Sequence, residues 1–243
     1  MKTILSYLLT PLYYLFFGLG LLFFHLVQWL GHNLAGYTGH KWAVDRMNRY
    51  FMSCLYLLGT RISFKHAHAF PKGAPLILVS NHQSMYDISP LAWFLRRNHP
   101  KFVSKKELGK GIPSISYNLS HGGSVLIDRK DARQSLTALA KFGKFIKKNN
   151  YAAVIFPEGT RSIDGKPKKF SPSGLKMLVK YAPGAYVVPV SINNCWKITQ
   201  YGKFPLGVGA HVTFEIHKAI KADSMSFEDL FALTEKTVKE GVV

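Results

Sequence analysis

From Thr3 to His40 the chain carries no Asp, Glu, Lys or Arg, and Ile4 to Leu30 is almost entirely Leu, Phe, Tyr and Val. Written as a helix, Pro11 to Leu30 rises about 30 Å, one hydrocarbon thickness of a bilayer. The run exceeds the roughly 7 to 15 residues of a signal-peptide core and lacks a clear small-x-small cleavage site, so it is read as a retained segment. After Gly39 a second helical pattern places Met47, Phe51, Leu55 and Leu58 on one stripe, accompanied by Lys41, Arg46 and Arg49. Two arrangements satisfy both patterns: one helix that spans the membrane with its basic flank inside, or a helical hairpin immersed in one leaflet with its cations among the headgroups. Either one holds the rest of the chain at the cytoplasmic face of the inner or plasma membrane. A buried core helix is the remaining option, and an uncharged run this long argues against it.

Beyond Arg61 the period of the pattern changes. Leu76 to Ser80, Phe102 to Ser104, Val125 to Asp128, Ala152 to Phe156, Tyr186 to Ile192 and Val212 to Ile216 are short β-branched or aromatic runs, most of them bounded by Gly, Pro or Asn, and are read as strands. Helical patterns lie between them at Ile88 to Arg97, Ala132 to Lys148 and Gly174 to Tyr181. Asp131, with Gln134 three residues on, is placed to cap the long helix and form a capping box. Alternating strands and helices predict an α/β fold, a mostly parallel mixed sheet flanked by helices. The expected organisation is residues 1–59 as membrane-associating helices and 60–243 as one α/β domain.

Composition narrows the classes. At 243 residues, 47% hydrophobic and 19% charged, the chain is too apolar for disorder. Cys54 and Cys195 are its two cysteines, too few for a disulfide framework or a cysteine zinc module, so no metal is expected and the reduced cytosol is the default compartment. Charge is the loudest signal: 32 Lys and Arg against 13 Asp and Glu leave +19, and residues 101–180 hold 17 of those bases with 5 of the acids. Such a field calls for an anionic partner. Nucleic acid, anionic lipid and phosphorylated substrates all fit it, and a non-enzymatic basic protein docked on a membrane is the alternative from another class. Beside the greasy amino terminus, lipid is favoured and nucleic acid is not expected.

Two familiar sites are missing. A serine nucleophile elbow needs G-x-S-x-G, and Gly123-Ser124-Val125-Leu126 lacks that frame. Gly159 and Gly165 are one residue too far apart for a phosphate loop, and Lys166 precedes Pro167. What remains is Asn81-His82-Gln83-Ser84-Met85-Tyr86-Asp87 after the strand Leu76 to Ser80, and carboxyl ends of strands are where open α/β sheets place their sites. Across a turn, Asp87 can engage one ring nitrogen of His82 and leave the other as a base. His40 and Asp45 repeat the spacing without a preceding strand and are read as coincidence, with His40 at the membrane interface. Phe156-Pro157-Glu158-Gly159-Thr160-Arg161-Ser162 follows another strand: Gly159 permits a tight turn, Arg161 offers a forked cation for phosphate, and Glu158 can orient that cation or a hydroxyl. Gly123 to Arg129 is a third strand that ends in a cation. Structural ion pairs, Glu158 with Arg161 and Asp128 with Arg129, are the bland alternatives.

Together, in this order, Asn81 to Asp87, Gly123 to Arg129, Phe156 to Ser162 and Val187-Val188-Pro189-Val190-Ser191-Ile192 resemble the four blocks of the glycerophospholipid acyltransferase family, over about residues 75–217. The resemblance implies a glycerol-3-phosphate acyltransferase-like fold and a catalytic domain over 60–243. It makes His82 the base and Asp87 its orienting partner, Arg129 and Arg161 phosphate ligands, Glu158 and Gly159 part of the acceptor site, and Lys105 a further phosphate-side residue. The implied reaction moves an acyl chain from acyl-CoA or acyl carrier protein, as co-substrate, to the sn-2 hydroxyl of lysophosphatidate, or to another lysolipid, with no cofactor. One departure is Phe170-Ser171-Pro172-Ser173-Gly174, a residue longer than the family's Phe-x-x-Gly, which bears on the choice of acceptor.

Overall fold

The fold is known from a computed structural model that describes residues 2–66 and 68–243. Residues 1 and 67, which fall within the two expected units, lie outside the described residues. Helix α1 (Lys2–Cys54) is broken at Ala35 and Gly36, where the backbone leaves helical angles, and the chain doubles back on itself. The arms touch closely beside the turn, because a Cβ on Gly39 would stand 2.2 Å from the carbonyl oxygen of Gly31. Farther along, Phe17 and Phe24 meet Phe51, the Tyr50 hydroxyl donates to the Phe16 carbonyl at 2.9 Å, and Gln28 Nε2 reaches Met47 Sδ at 3.1 Å. The long apolar pattern is therefore a hairpin in this structure, and it turns at Gly36, before the Gly39 boundary that the sequence suggested.

Polarity in the first arm runs opposite to that of a soluble helix. Ser6, Thr10 and Gln28 are buried, whereas Ile4, Leu8, Leu15, Leu22, Phe23 and Leu34 are exposed, Leu34 at 82%. Water would penalise that face at about 25 cal/mol per Å² of apolar surface, and hydrocarbon would not. Thr10 finds partners inside: its Oγ1 donates to the Ser6 carbonyl at 2.6 Å and accepts from the Leu206 amide at 2.8 Å.

A short 3-10 turn (Leu55–Leu58) leads into the sheet, whose strands are β1 (Arg61–His66), β2 (Leu76–Ser80), β3 (Pro100–Lys105), β4 (Val125–Ile127), β5 (Ala152–Ile155), β6 (Tyr186–Asn193), β7 (His211–Ile216) and β8 (Ile220–Lys221). Their order is β1-β7-β6-β2-β5-β3-β4, with β8 paired to β6. Pairing is parallel except where β6 meets β7 and β8. The intervening helices are α2 (Ile88–Phe94), α3 (Ile115–His121), α4 (Ala132–Asn149), α5 (Pro172–Tyr181) and α6 (Phe227–Glu240).

The pleat sorts the core into two layers. Leu76, Leu78, Ala152 and Val154 face one side, where they pack with Tyr13, Leu55 and Leu58 of the amino-terminal segment and Leu91 of α2. Ile77, Val79, Ala153 and Ile155 face the other, against Leu139 and Ile146 of α4, Leu175 and Leu178 of α5, and Leu230 of α6. Strand β2 is buried along its full length, as a central parallel strand covered on both faces requires. The hairpin and the α4–α5 pair thus lie on opposite faces of one sheet. Expected strands and helices appear with every end within three residues, and β1, β8, α3 and α6 are additions that the hydrophobic pattern did not predict.

Candidate active site

The parallel strands β2 and β5 both end beside one loop system. Past Ser80 the chain leaves the strand and, with Ser84 extended, enters a 3-10 turn (Met85–Asp87) that brings Asp87 back to His82. Asp87 is fully buried, and its Oδ2 accepts from His82 Nδ1 at 2.8 Å and from the amides of Gln83 and Ser84 at 2.8 and 2.9 Å. A carboxylate there requires the imidazole proton on Nδ1, so Nε2 carries the free lone pair. The ring of Phe156 lies against His82 with centroids 4.2 Å apart and planes 20° from parallel, which limits the rotation of the imidazole.

Two residues hold the loop to the sheet and to its neighbour. Asn81 makes a double contact with β6, donating to the Ile192 carbonyl at 2.8 Å and accepting its amide at 2.7 Å. Glu158 accepts the His82 amide at 2.9 Å and the Lys168 amide at 3.1 Å, and Ser162 donates its own amide to the His82 carbonyl at 2.8 Å. Burial pushes the Glu158 carboxyl above its ordinary range, and these two amides, with His82 and Lys168 nearby, draw it back. Glu158 makes no ion pair with Arg161 among the described residues; its place is between the two loops. Gly159 turns the second loop with φ of +71°, a conformation open to glycine at little cost.

Arg129 and Arg161 stand with Lys105 and His82 on the wall of a cavity of about 840 Å³. Arg129 donates to the Gly159 carbonyl and does not pair with Asp128. Partial burial, with Arg161 close by, lowers the Arg129 guanidinium below its ordinary value, while Glu107 opposes that change. Two close cations that do not neutralise each other are what a bound phosphate would satisfy. Asp128 instead accepts the Lys130 amide at 3.0 Å and lies 3.9 Å from Lys106.

The same cavity is walled by Phe17, Met47 and Phe51 of the hairpin, Phe102 of β3 and Leu119 of α3, an apolar lining in contact with the His82 end. All seven site residues expected from sequence are found together: Asp87 behind His82, Glu158 beneath it, and Lys105, Gly159, Arg129 and Arg161 on the cavity wall. Sequence reasoning assigned no task to Asn81, Gln83, Phe156 or Lys168. Gln83 joins Gly165 and Cys195 through its amide, at 3.1 and 2.9 Å, and Lys168 Nζ donates to Thr160 Oγ1 and the Arg161 carbonyl at 2.9 and 2.8 Å. Adjacency was the available signal, since Asn81 and Gln83 flank His82 and Phe156 opens the block that contains Glu158. Two local expectations are corrected. Asp131 does cap α4, accepting the Gln134 amide at 2.9 Å, but Gln134 returns to the Asp128 amide, so the capping box is incomplete. His40 is buried, against His32 and Tyr117, and is not an interfacial residue.

A buried His–Asp pair at the strand ends, paired cations on the wall and an apolar cavity beside them form one candidate active site, and the chain belongs to the acyltransferase family, whose family model matches residues 61–193, more than half of its length. Among curated proteins it is similar to a 1-acyl-sn-glycerol-3-phosphate acyltransferase of Helicobacter pylori, 34% identical over 166 residues that make up 64% of this chain and 66% of the relative. It is also similar to the chloroplastic 1-acyl-sn-glycerol-3-phosphate acyltransferase BAT2 of Brassica napus, 34% identical over 205 residues, 79% of this chain and 58% of that one. Both relatives are longer than the part the chain matches. Among solved structures, the 1-acyl-sn-glycerophosphate acyltransferase PlsC of Thermotoga maritima matches with a TM-score of 0.79 at 25% identity, across 99% of this chain and 96% of its own.

Proposed function

We infer that this protein transfers a fatty acyl chain from a thioester, acyl-CoA or acyl carrier protein, to the sn-2 hydroxyl of lysophosphatidate and so makes phosphatidate for phospholipid synthesis. The observation that carries this reading is the His82–Asp87 contact in one cavity with Arg129 and Arg161. His82 Nε2 removes the proton of the acceptor hydroxyl as its oxygen attacks the thioester carbonyl. The tetrahedral centre then collapses, and the thiolate leaves with the proton that His82 returns. Arg129, Arg161 and Lys105 hold the acceptor phosphate, which fixes the attacking oxygen relative to His82. Glu158 and Gly159 shape the acceptor side by bracing the loop that carries His82. Base, orienter and phosphate ligands are all side chains in this scheme, with no cofactor and no metal.

Delivery of a two-tailed product requires contact with a leaflet, and the hairpin's outward apolar face is suited to immersion in one. Residues 1–59 then serve as the membrane anchor and 60–243 as the catalytic domain at the cytoplasmic face. The test is acyl transfer by the purified full-length protein against a panel of lysolipids, with both donors and a lysolipid that lacks phosphate. Turnover restricted to lysophosphatidate is expected, and equal turnover across the panel would defeat the acceptor assignment. On vesicles, neither carbonate nor high salt should strip the protein; release by salt alone would return weight to a purely electrostatic binder.

A further inference from the structure

The cations of the active site account for only part of the positive charge, and the remainder is not scattered. Helices α4 and α5 contain no Asp or Glu, and Lys141, Lys144, Lys147, Lys148, Lys176 and Lys180 are all exposed. Of these six, only Lys176 has an ion pair among the described residues, with the exposed Glu228 at 3.6 Å. The two helices contribute to one surface: Lys144 of α4 and Lys180 of α5 both lie over the ring of Tyr181, at 5.6 and 5.5 Å. Like charges gathered on packed neighbours repel one another, and one exposed ion pair with two contacts to the Tyr181 ring offset only part of that cost.

We propose that this α4–α5 lysine face docks a small, strongly acidic carrier protein that presents the acyl thioester on a long flexible arm, a proposal that rests on the acyl-transfer reading above. Three features select this occupant. The face adjoins the cavity, since Leu136 and Leu139 of α4 and Ser173 and Gly174 of α5 line it, and the lysines continue along α4 from there for about 18 Å, at 1.5 Å per residue from Leu136 to Lys148. A carrier seated on the lysines has the α4–α5 wall of the cavity at one edge of its footprint, and that cavity also holds His82. The face is also too long for the charges of a single nucleotide, while an acidic helical surface can meet all of it. Finally, α4 and α5 pack on the Ile77–Val79 side of the sheet and the hairpin on the Leu76–Leu78 side, so a leaflet that holds the hairpin lies across the sheet from the lysines. An anionic membrane is therefore the poorer occupant, and the carrier approaches from the aqueous side while the acceptor arrives from the leaflet.

The test compares donors on the full-length protein in vesicles with lysophosphatidate, using a palmitoyl-loaded acyl carrier protein and palmitoyl-CoA. In the variant Lys141→Glu, Lys144→Glu, Lys148→Glu, Lys180→Glu, the KM for the carrier-linked donor should rise by about tenfold or more, as loss of electrostatic complementarity predicts, while kcat/KM for palmitoyl-CoA stays within about twofold. Wild-type KM for the carrier alone should climb with salt. The corresponding lysine-to-glutamine variant should give an intermediate rise, and its unchanged CoA turnover certifies the fold. Anisotropy of a labelled holo-carrier reads the same dock without turnover and should show weakened binding in both variants. A carrier KM unmoved by charge reversal, or an equal fall with both donors, overturns the dock; so does loss of vesicle binding, which would give the face to lipid. A wild-type protein that transfers from neither donor instead defeats the acyl-transfer reading, a result distinct from every one of these.

Discussion

His82 with Asp87 and His40 with Asp45 have the same spacing in sequence and opposite fates in the fold. Asp87 meets its histidine at 2.8 Å because the chain that has left β2 passes through an extended Ser84 and closes in a 3-10 turn. The segment from His40 to Asp45 lies within the second arm of α1, where five residues advance about 140° around the axis and point the two side chains apart. Asp45 takes the neighbour that a helix does provide, Lys41 four residues back, and Lys41 also donates to the Arg96 carbonyl at 2.9 Å. A spacing carries chemistry only together with the backbone that spans it. The strand ahead of His82 was the distinguishing feature, and it is visible in the sequence.

The largest expected effect separates the two histidines directly. His82→Ala should reduce acyl transfer by about a hundredfold to ten-thousandfold, the usual range for removal of a general base, while His40→Ala keeps most of its turnover. Circular dichroism and vesicle binding should remain as in the wild type for His82→Ala. Equal losses in the two variants would sink the choice between the pairs.

The carboxylates come next. Asp87→Asn keeps the shape but supplies an uncharged group to an imidazole proton and two amides, which weakens control of the tautomer; activity should fall by about a hundredfold or more with the fold intact. Asp45→Asn loses a partly buried helical ion pair that engages no imidazole, and it should leave turnover within about twofold. Kinetics on the two variants, side by side, decide whether the carboxylate matters through the histidine or merely through folding.

Much of this contrast was legible before any coordinates. Continuous apolar runs such as Leu76 to Ser80 mark strands covered on both faces, and β2, β5 and β6 are such strands, so the sheet centre and the loops at its end were well specified. The edges were not. Strand β1, Arg61–His66, reads as charged and mixed because it lies at the margin of the sheet with little burial, and α3 is one seven-residue turn element whose buried face is the single residue Leu119. In the site, the identities of His82, Asp87, Arg129, Glu158 and Arg161 come from the sequence, but the engagement of Glu158 with His82 crosses 76 residues and follows from how two loops pack. The sequence alone allows both a hairpin and a single span, because composition sets the length of an apolar run and says nothing of a backbone break at Ala35 and Gly36.

Smaller effects sharpen the reading of the cations. Arg129→Ala and Arg161→Ala should each raise the KM for lysophosphatidate by about ten- to a hundredfold, the worth of a charge-assisted hydrogen bond, with a smaller change in kcat. On an acceptor with a free hydroxyl in place of the phosphate, the same variants should differ little from the wild type. An unchanged KM for both would remove them from the acceptor site. A purely structural role would show instead as a lower Tm with no selectivity between acceptors.

The smallest expected effect on turnover tests the surroundings of the helical pair, where the Asp45 carboxylate acts on the amines of Lys41 and Lys101 and not on the His40 imidazole. Lys101 on β3 is buried, and burial lowers its ammonium to about 8, with Lys41 adding to the shift and Asp45 opposing it. The unfolded chain holds that proton up to about 10.4, so between these values the unfolded state binds more protons and stability rises with pH. Below pH 8 both states are protonated and the folded protein bears the full penalty, at most about 3 kcal/mol at 1.36 kcal/mol per pH unit. Lys101→Met removes the charge at similar volume and leaves the Tyr37 hydroxyl its contact with His99 Nδ1 at 2.7 Å. Relative to the wild type, the variant should melt at a higher temperature near pH 7, and the advantage should shrink as pH rises from 8 to 10.5. A constant difference across that range would mean that Lys101 acts by packing alone, and a variant less stable at pH 7 would show that its hydrogen bond to Tyr37, at 3.1 Å, outweighs the cost of the buried charge.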